Sequence, residues 1–600
     1  MEFEVKYRDC TSRVGKLSIG DDVVMTPAIL WISSPTFTPP DFASLVLARG
    51  DIKTKKPTLR DLGSFFYPSP SRHSGDIVIP SSLLYPPSLP GDIHHRAATI
   101  NYSQVGECCL VLDKSLDMLP RDAQIYILAN SRELFLQPHR FSETLVALRK
   151  KIGDTKLIYT PGLGEPSQLA LLHYCTVDLT DSFPLIWRSL NNYFLTSDGH
   201  TDIPPQIPCS CPACQKSTPL SFDDLLLHNY YAAHNEIKHV HNAIQNNTLR
   251  ELVESRAHPP ELFSLLYLLD KEQYPFQEER FPITGHKLWA SPLYLDRPDV
   301  KRFRTRVTKR FSQPPSTHIL LLLPCSARKP YSQSRSHALF QQAIKNCGNP
   351  HVIHEVMVTS PLGLVPRELE LVYPAGHYDI PVTGYWSQDE QAMLTEAFTS
   401  FLQNNHYDTI ISHLPLHIHT LYPNEFIHTC IDHPTSPESL DKLTQTLQEA
   451  VATYPHVDYS QRVKENMACV LDYQFGPRVT PDFLKDCTIK GKYPFLKIFH
   501  NSTQLGMLVK ERGLLSLTLE GAQRLAQSPV YWVEIDDFMP HGSIFATGVR
   551  NADLSIRIGD DVIISHKKEV RAVGVAVMNA QEMIQSKRGE AVKVRHYKKG

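Results

Sequence analysis

The sequence has no apolar run approaching the roughly 18 residues that a membrane span requires, and its first residues, Met1 to Asp9, are charged rather than signal-like. A cytoplasmic protein without membrane association is therefore expected. Cysteine is scarce. Twelve in 600 residues cannot build a disulfide scaffold, so clustered thiols read as metal ligands and isolated ones as core residues or nucleophiles. Net charge is nearly absent at −2, which alone gives no sign of a nucleic-acid partner. No internal repeat at a fixed period is present.

What is present is an ordinary globular composition, 42% hydrophobic and 21% charged, over a length suited to roughly three to five domains. Basic charge is gathered in two places. Lys301 to Arg310 holds six Lys or Arg and no acid, and Lys587 to Lys599 holds six against Glu590. Taken singly, each run reads as a solvated linker or tail; together they suggest phosphate contacts.

Up to about Arg140, proline clusters at Pro35 to Pro40, Pro68 to Pro70 and Pro86 to Pro90 punctuate short strands and loops. Then Ser142 to Ile152 reads as helix, Lys156 to Tyr159 as strand, Ser167 to Tyr174 as helix and Val177 to Leu179 as strand, an alternation that implies parallel α/β architecture. A helical region spans Leu220 to about Leu269, and the Pro- and charge-rich passage Pro292 to Ser316 reads as a domain junction. Beyond it the apolar run His318 to Leu323 ends in Pro324-Cys325, a Ser-rich turn and a helix Ser336 to Asn346, which is where α/β sheets place ligands. Strand Val352 to Val358, helix Asp389 to Gln403 and strand Thr409 to Ser412 continue the pattern, and helix Ser436 to Thr453 follows. Short β runs at Tyr531 to Ile535, Ile544 to Val549, Asp561 to Ile564, Ala572 to Val577 and Ala591 to Arg595 predict a small terminal barrel.

The sharpest local motif is Cys209-Ser-Cys211-Pro-Ala-Cys214 with His228 at the start of a helical stretch. Three thiolates and an imidazole suit tetrahedral Zn²⁺ and leave no position for water, so the site is expected to be structural. His234, His239 and His241 compete with His228 as the fourth ligand. This cluster, with His228-Asn229, resembles the zinc site of archaeal tRNA-guanine transglycosylases, and Tyr159-Thr-Pro161 and Asp178-Leu-Thr-Asp181 resemble the barrel strands just before it. That family exchanges a base in tRNA on a TIM barrel with an aspartate nucleophile and a second acid/base aspartate. The resemblance places the nucleophile at Asp181. The family's Asp-Ser-Gly-Gly-Phe-Gln segment has no counterpart, His73-Ser-Gly75-Asp76 being the nearest text. Its loss removes general acid/base help worth roughly 10²- to 10⁴-fold, so the barrel reads as degenerate.

A second constellation places Cys325, Lys329, Tyr331, Ser334 and His337 within fourteen residues of a buried strand end. A thiol there can be activated by a nearby cation, and polar neighbours can protonate a substrate nitrogen. Equally, these are the residues of a strand end, a Pro-Tyr turn and a helix cap. Pro324-Cys325-x3-Lys329-Pro330-Tyr331-x2-Ser334-x2-His337 is similar to the signature of the archaeosine synthase family, and Val358 to Glu370 and Tyr373 to Trp386 look like that family too.

The resemblance implies tRNA bearing 7-cyano-7-deazaguanine in its D-arm as substrate, with the nitrile converted towards a formamidine. It implies addition of lysine or another amine donor, with a radical-SAM partner enzyme cleaving the adduct. Attack by Cys325 and direct attack by the amine both remain open, as do a homodimer, an active transglycosylase and a non-catalytic tRNA-binding subunit. Lys329 and His337 are expected to tune the thiol or transfer protons, and Tyr331 and Ser334 to position groups by hydrogen bonding.

Gly548-Val549, Ile558 to Val562, Val573 to Ala576 and Ala591 to Arg595 resemble an RNA-binding PUA domain. The expected fold is thus α/β multidomain: a degenerate TIM-barrel transglycosylase-like domain with its zinc insertion at 1–290, an α/β catalytic domain at 312–435, a small α+β domain at 436–527 and a PUA β-barrel at 528–600.

Overall fold

Strands buried on both faces need near-continuous apolar runs, and Ile125–Leu128 and Leu157–Tyr159 are buried at every residue. The computed structural model describes residues 1–64, 67–68, 77–79, 92, 108–112, 122–216, 219–285, 288–289, 294–379, 385–422, 425–477 and 479–598. His73 to Asp76 and Pro86 to Pro90 lie outside them. The chain divides into two units, Met1–Phe281 with Gln585–Gly589, and Pro282–Ile584 with Glu590–Gly600.

In the first unit an antiparallel sheet of β1 (Glu2–Asp9), β2 (Ser12–Ile19) and β3 (Asp22–Thr26) precedes eight parallel strands. These are β4 (Ala28–Ser33), β5 (Val46–Arg49), β6 (Thr58–Asp61), β7 (Ile77–Ile79), β8 (Cys109–Leu112), β9 (Ile125–Leu128), β10 (Leu157–Tyr159) and β11 (Leu179–Asp181). Their order, β8-β9-β10-β11-β4-β5-β6-β7, is cyclic in sequence, and β7 lies beside β8, so the sheet nearly closes. Alternate residues such as Ala28, Leu30, Ile77, Ile79, Ile125 and Ile127 fill the interior, as a TIM barrel requires. Helices α1 (Pro138–Ile152), α2 (Pro166–Tyr174) and α3 (Phe183–Leu190) follow successive strands. After the hairpin of β12 (Tyr193–Thr196) and β13 (Gly199–Asp202), the helical region consists of α4 (Phe222–Gln245), α5 (Leu249–Arg256) and α6 (Pro260–Glu272). Asn247, in a left-handed conformation, and the Pro259-Pro260 pair make the two breaks.

The stretch read as a junction holds an amphipathic helix, α7 (Pro298–Lys309), instead of a linker. Its basic residues disguised the apolar stripe Val300, Phe303, Val307, which is core. Its arginines are structural: Arg302 donates to the Pro282 carbonyl at 2.9 Å, and Arg304 to those of Pro361 and Leu295 at 2.7 and 2.6 Å. Arg302 and Arg304 thus serve backbone carbonyls of the protein, while Lys309 is exposed.

The next sheet contains β14 (Ile319–Pro324), β15 (Ile353–Thr359), β16 (Gly363–Pro366), β17 (Thr409–Ser412) and β18 (Ile427–His428) in the order β16-β15-β14-β17-β18, with β16 alone antiparallel. Central strand β14 sends Leu320 and Leu322 into one core and Ile319, Leu321 and Leu323 into another. The first is covered by α7 and α9 (Gln388–Asn404), the second by α8 (Arg335–Lys345) and α10 (Pro437–Val451). Helix α11 (Tyr459–Phe475) leads to the antiparallel sheet β19 (Cys487–Lys492), β20 (Phe495–His500), β21 (Thr503–Val509) and β22 (Leu514–Leu517).

The last sheet contains β23 (Trp532–Ile535), β24 (Ile544–Phe545), β25 (Val549–Ala552), β26 (Asp561–His566), β27 (Glu569–Ala576) and β28 (Glu590–Tyr597) in the order β24-β28-β27-β26-β23-β25. The run Ile544 to Val549 is two strands split by a 3-10 turn at Ala546–Gly548. One continuous apolar core, from Ile283 through Leu322, Leu471 and Leu496 to Val592, joins what the sequence presents as three domains. Gly513, at φ +65°, turns tightly there; a Cβ on it would lie 2.4 Å from the Leu371 carbonyl carbon.

Candidate active site and metal centre

Because β14 is the central parallel strand, the loop after it opens at the carboxyl edge of the sheet, where Cys325 and Lys329 line a cleft of about 360 Å³. Other walls come from Val358–Ser360 after β15, from Trp386 and Glu390 at the start of α9, and from His417 and His433 beyond β17. Cys325 is half-buried. The Lys329 ammonium lies 3.9 Å from the centroid of the Tyr378 ring and 5.7 Å from that of Tyr331. Burial lowers its pKa from the ordinary lysine value, opposed by the charges of Cys325 and Asp379.

The other three motif residues build the wall behind. Tyr331 is fully buried and its hydroxyl meets that of Tyr378 at 2.5 Å, which in turn meets Thr359 Oγ1 at 2.6 Å. Burial raises both phenol pKa values, so they remain protonated. Ser334 is the N-cap of α8, its hydroxyl accepting from the His337 backbone N–H at 3.2 Å. His337 Nε2 donates to the Pro324 carbonyl at 3.0 Å, and Nδ1 accepts from Arg367 at 2.9 Å, partners that fix the tautomer. Burial, then the Arg367 charge, pushes its pKa down to about 3. A neutral ring with both nitrogens engaged holds the Pro324 carbonyl beside Cys325.

Arg367 is paired with Glu355 at 2.7 Å and with Glu370 at 2.9 Å. Fully buried Glu370 also accepts from the Ser332 backbone N–H in the loop after β14 at 2.9 Å and from the Tyr493 hydroxyl, in the β19–β20 turn, at 3.1 Å. Local spacing cannot reveal Thr359, Arg367, Glu370, Tyr378 or Glu390. Four of these fall in the longer segments that resemble archaeosine synthases; Glu390 lies just past them.

In the first unit, Cys209, Cys211, Cys214 and His228 bring their ligand atoms within 4.8 Å of one another, the only such group of three or more among the described residues. Ser221 caps α4 and sets His228 two turns in. His228 Nδ1 lies 3.6 Å from Cys211 Sγ and 3.3 Å from Cys214 Sγ, while Nε2 donates to the Leu195 carbonyl at 3.0 Å and leaves Nδ1 free as a ligand. Its competitors are otherwise engaged. His234 stacks on Phe42 at 4.3 Å, His239 meets Glu236 at 3.2 Å and His241 donates to the Pro27 carbonyl at 2.7 Å. Asn229 fastens the β12–β13 hairpin to α4, accepting from Leu195 N–H at 3.0 Å and donating to the Tyr193 carbonyl at 3.1 Å. Such a set can hold a metal ion with no open coordination position.

Asp181 ends β11 and is only 2% exposed. One oxygen accepts from the Tyr159 hydroxyl and the Gly162 N–H, both at 2.8 Å, and the other from the Phe183 N–H at 2.8 Å. Asp178 is bound by Arg13 and Arg149. Both carboxylates are buried and hydrogen-bonded within the protein.

Family matches run along the chain in order: queuine tRNA-ribosyltransferase at residues 116–260, a domain of unknown function (DUF5591) at 300–447, the patch-forming domain C2 of tRNA-guanine transglycosylase at 466–531 and a PUA domain at 534–598. Fold and matches together define a tRNA-modifying enzyme built on a transglycosylase scaffold. The chain is 33% identical to the archaeosine synthase of Haloferax volcanii over 99% of both chains. It is 33% identical to archaeosine synthase subunit alpha of Methanosarcina acetivorans over 100% of this chain and 99% of that one. Identity to the tRNA-guanine(15) transglycosylase of Methanothermobacter thermautotrophicus is 27%, over 77% of this chain and 69% of that one. The chain belongs to the archaeosine synthase family. Among the described residues no helix is long and apolar enough to cross a membrane.

Proposed function

We propose that the enzyme acts on 7-cyano-7-deazaguanine already present in tRNA and joins an amine, lysine by preference, to its nitrile carbon in the Cys325 cleft. The observation that supports this best is the pairing of an accessible thiol and a partly desolvated ammonium in one cleft, while Asp181 is sealed. In the thiol route, Cys325 sulfur bonds to the nitrile carbon, one C–N π bond opens, and the nitrogen takes a proton to give a thioimidate. The amine nitrogen then bonds to that carbon, the C–S bond breaks, and the thiol is recovered with its proton, leaving an N-substituted amidine. Lys329 is placed to supply the nitrogen's proton, and its lowered pKa makes it the stronger acid. Tyr331, Ser334 and His337 are positioning residues. Cys209, Cys211, Cys214 and His228 hold a structural Zn²⁺, the ion suited to three thiolates and an imidazole.

The PUA sheet contributes tRNA contacts. The name subunit alpha in the Methanosarcina relative favours a partner chain, for which a radical-SAM enzyme that cleaves the lysine adduct is the expected class.

The test incubates the protein with labelled lysine and tRNA bearing the nitrile base, and in parallel with guanine-containing tRNA and free deazaguanine base. Label entering the first tRNA alone is expected; base exchange in the second would overturn the reading.

A further inference from the structure

The cleft contains one carboxylate that the proposed chemistry leaves unused. Glu390 is 8% exposed and lines the cleft with Trp386, Phe340, Val358 and Pro415. As the third residue of α9 it completes a capping box, Oε2 accepting from the Ser387 N–H at 2.7 Å, while Oε1 accepts from the Tyr294 hydroxyl at 2.7 Å. The desolvation of burial is outweighed by hydrogen bonds from Ser360, Tyr294 and Ser387, which lower the Glu390 pKa, so the group stands in the cleft as a carboxylate.

A carboxylate has about four lone-pair sites, so the group can still turn acceptors toward a ligand in the cleft. Two adjacent acceptors on one planar group match an edge with two adjacent N–H donors. A guanine-type six-membered ring offers that edge as N1–H and the 2-amino group. A flat base is also what Trp386 and the apolar walls suit. Held by its six-membered edge at Glu390, the base points its five-membered ring, which carries the nitrile, away from the carboxylate and into the remainder of the cleft, where Cys325 and Lys329 stand. An amine donor's ammonium could also meet a carboxylate, and the two occupants are separated by experiment.

We infer that Glu390 reads the N1–H and 2-amino edge of the target base, swung out of the tRNA stack into the cleft, and thereby selects a guanine-type base and aims its nitrile. The inference rests on the nitrile substrate proposed above.

The test measures binding of the full-length protein to two tRNAs identical except at the target nucleotide, one bearing 7-cyano-7-deazaguanine and one bearing the same base without its 2-amino group. The wild type is expected to prefer the first by roughly five- to 150-fold, the range for a bidentate base contact, and Glu390→Gln, still folded by circular dichroism though somewhat less stable, to bring the ratio near one. No preference in the wild type, or a preference kept by Glu390→Gln, would overturn the inference. A variant whose main defect is a raised KM for lysine would overturn it too, by assigning the carboxylate to the donor's ammonium. Binding is read without turnover, so a wild type that discriminates between the tRNAs yet transfers no lysine would sink the proposed reaction and leave the base-reading role standing.

Discussion

Asp181 and Cys325 occupy equivalent places, each at the carboxyl end of a parallel strand in an α/β sheet, yet one is sealed and the other open. Around Asp181 the loop after β10 folds inward, and Tyr159, Gly162 and Phe183 hydrogen-bond both oxygens of the buried carboxylate. After β14 the loop turns away, helped by a helix cap at Ser334 and a buried imidazole that fixes the Pro324 carbonyl, so the thiol faces a cleft. A strand end offers position only; what the following loop does with its own donors decides whether that position becomes chemistry or packing.

The largest effect that sharpens this contrast is at the thiol. Cys325→Ala is expected to lower kcat for lysine transfer on the order of 10³-fold or more with tRNA affinity unchanged, and an unaltered kcat would remove the nucleophile. Lys329→Met should cost roughly 10²- to 10⁴-fold in kcat and little in KM, as for a lost proton donor. Asp181→Asn should reverse the pattern, with kcat within about twofold of wild type and stability lower by about 1–3 kcal/mol, because an amide offers one acceptor where the carboxylate uses two; a collapse of activity in a well-folded variant would return the barrel to catalysis. Chelation of the Cys209–His228 site should lower the thermal midpoint and expose 203–245 to proteolysis before the Cys325 domain is cleaved.

The smallest effect is common to both units. His173 and His413, held at about 4, and His337, held at about 3, are neutral when folded, mainly through burial. Their ordinary value is near 6.5, so below it the unfolded chain binds more protons, and the stability they confer, full above about 6.5, is lost as pH falls towards 3 to 4. Thermal midpoints should decline in that window and stay flat from pH 7 to 8, and His337→Gln should flatten part of the decline.

Much of this contrast can be read along the chain. The strand, turn and helix around Cys325, the three thiols with His228, and most of the terminal strands follow from local period and turn residues. The closed order of eight strands does not, since no local pattern says that β11 pairs with β4 across 150 residues. Nor does the division of the Cys325 motif, where Cys325 and Lys329 face the cleft while Tyr331, Ser334 and His337 turn into its wall. That partition depends on Tyr378, Pro324 and Arg367, distant in sequence or hidden in the backbone. Helix α7 escaped because Arg302 and Arg306, buried and bonded, look like solvent charge when read singly.

Glu370 carries a consequence for how such an enzyme is inherited. It suspends the loop after β14 through Ser332 and is itself gripped by Tyr493 from the next sheet, whose tight turn at Gly513 presses on Leu371. The Cys325 segment is therefore not a portable cassette. Recombination that transplanted residues 300–447 without 466–531 would deliver every residue of the Cys325 motif and lose the anchor that keeps them in place.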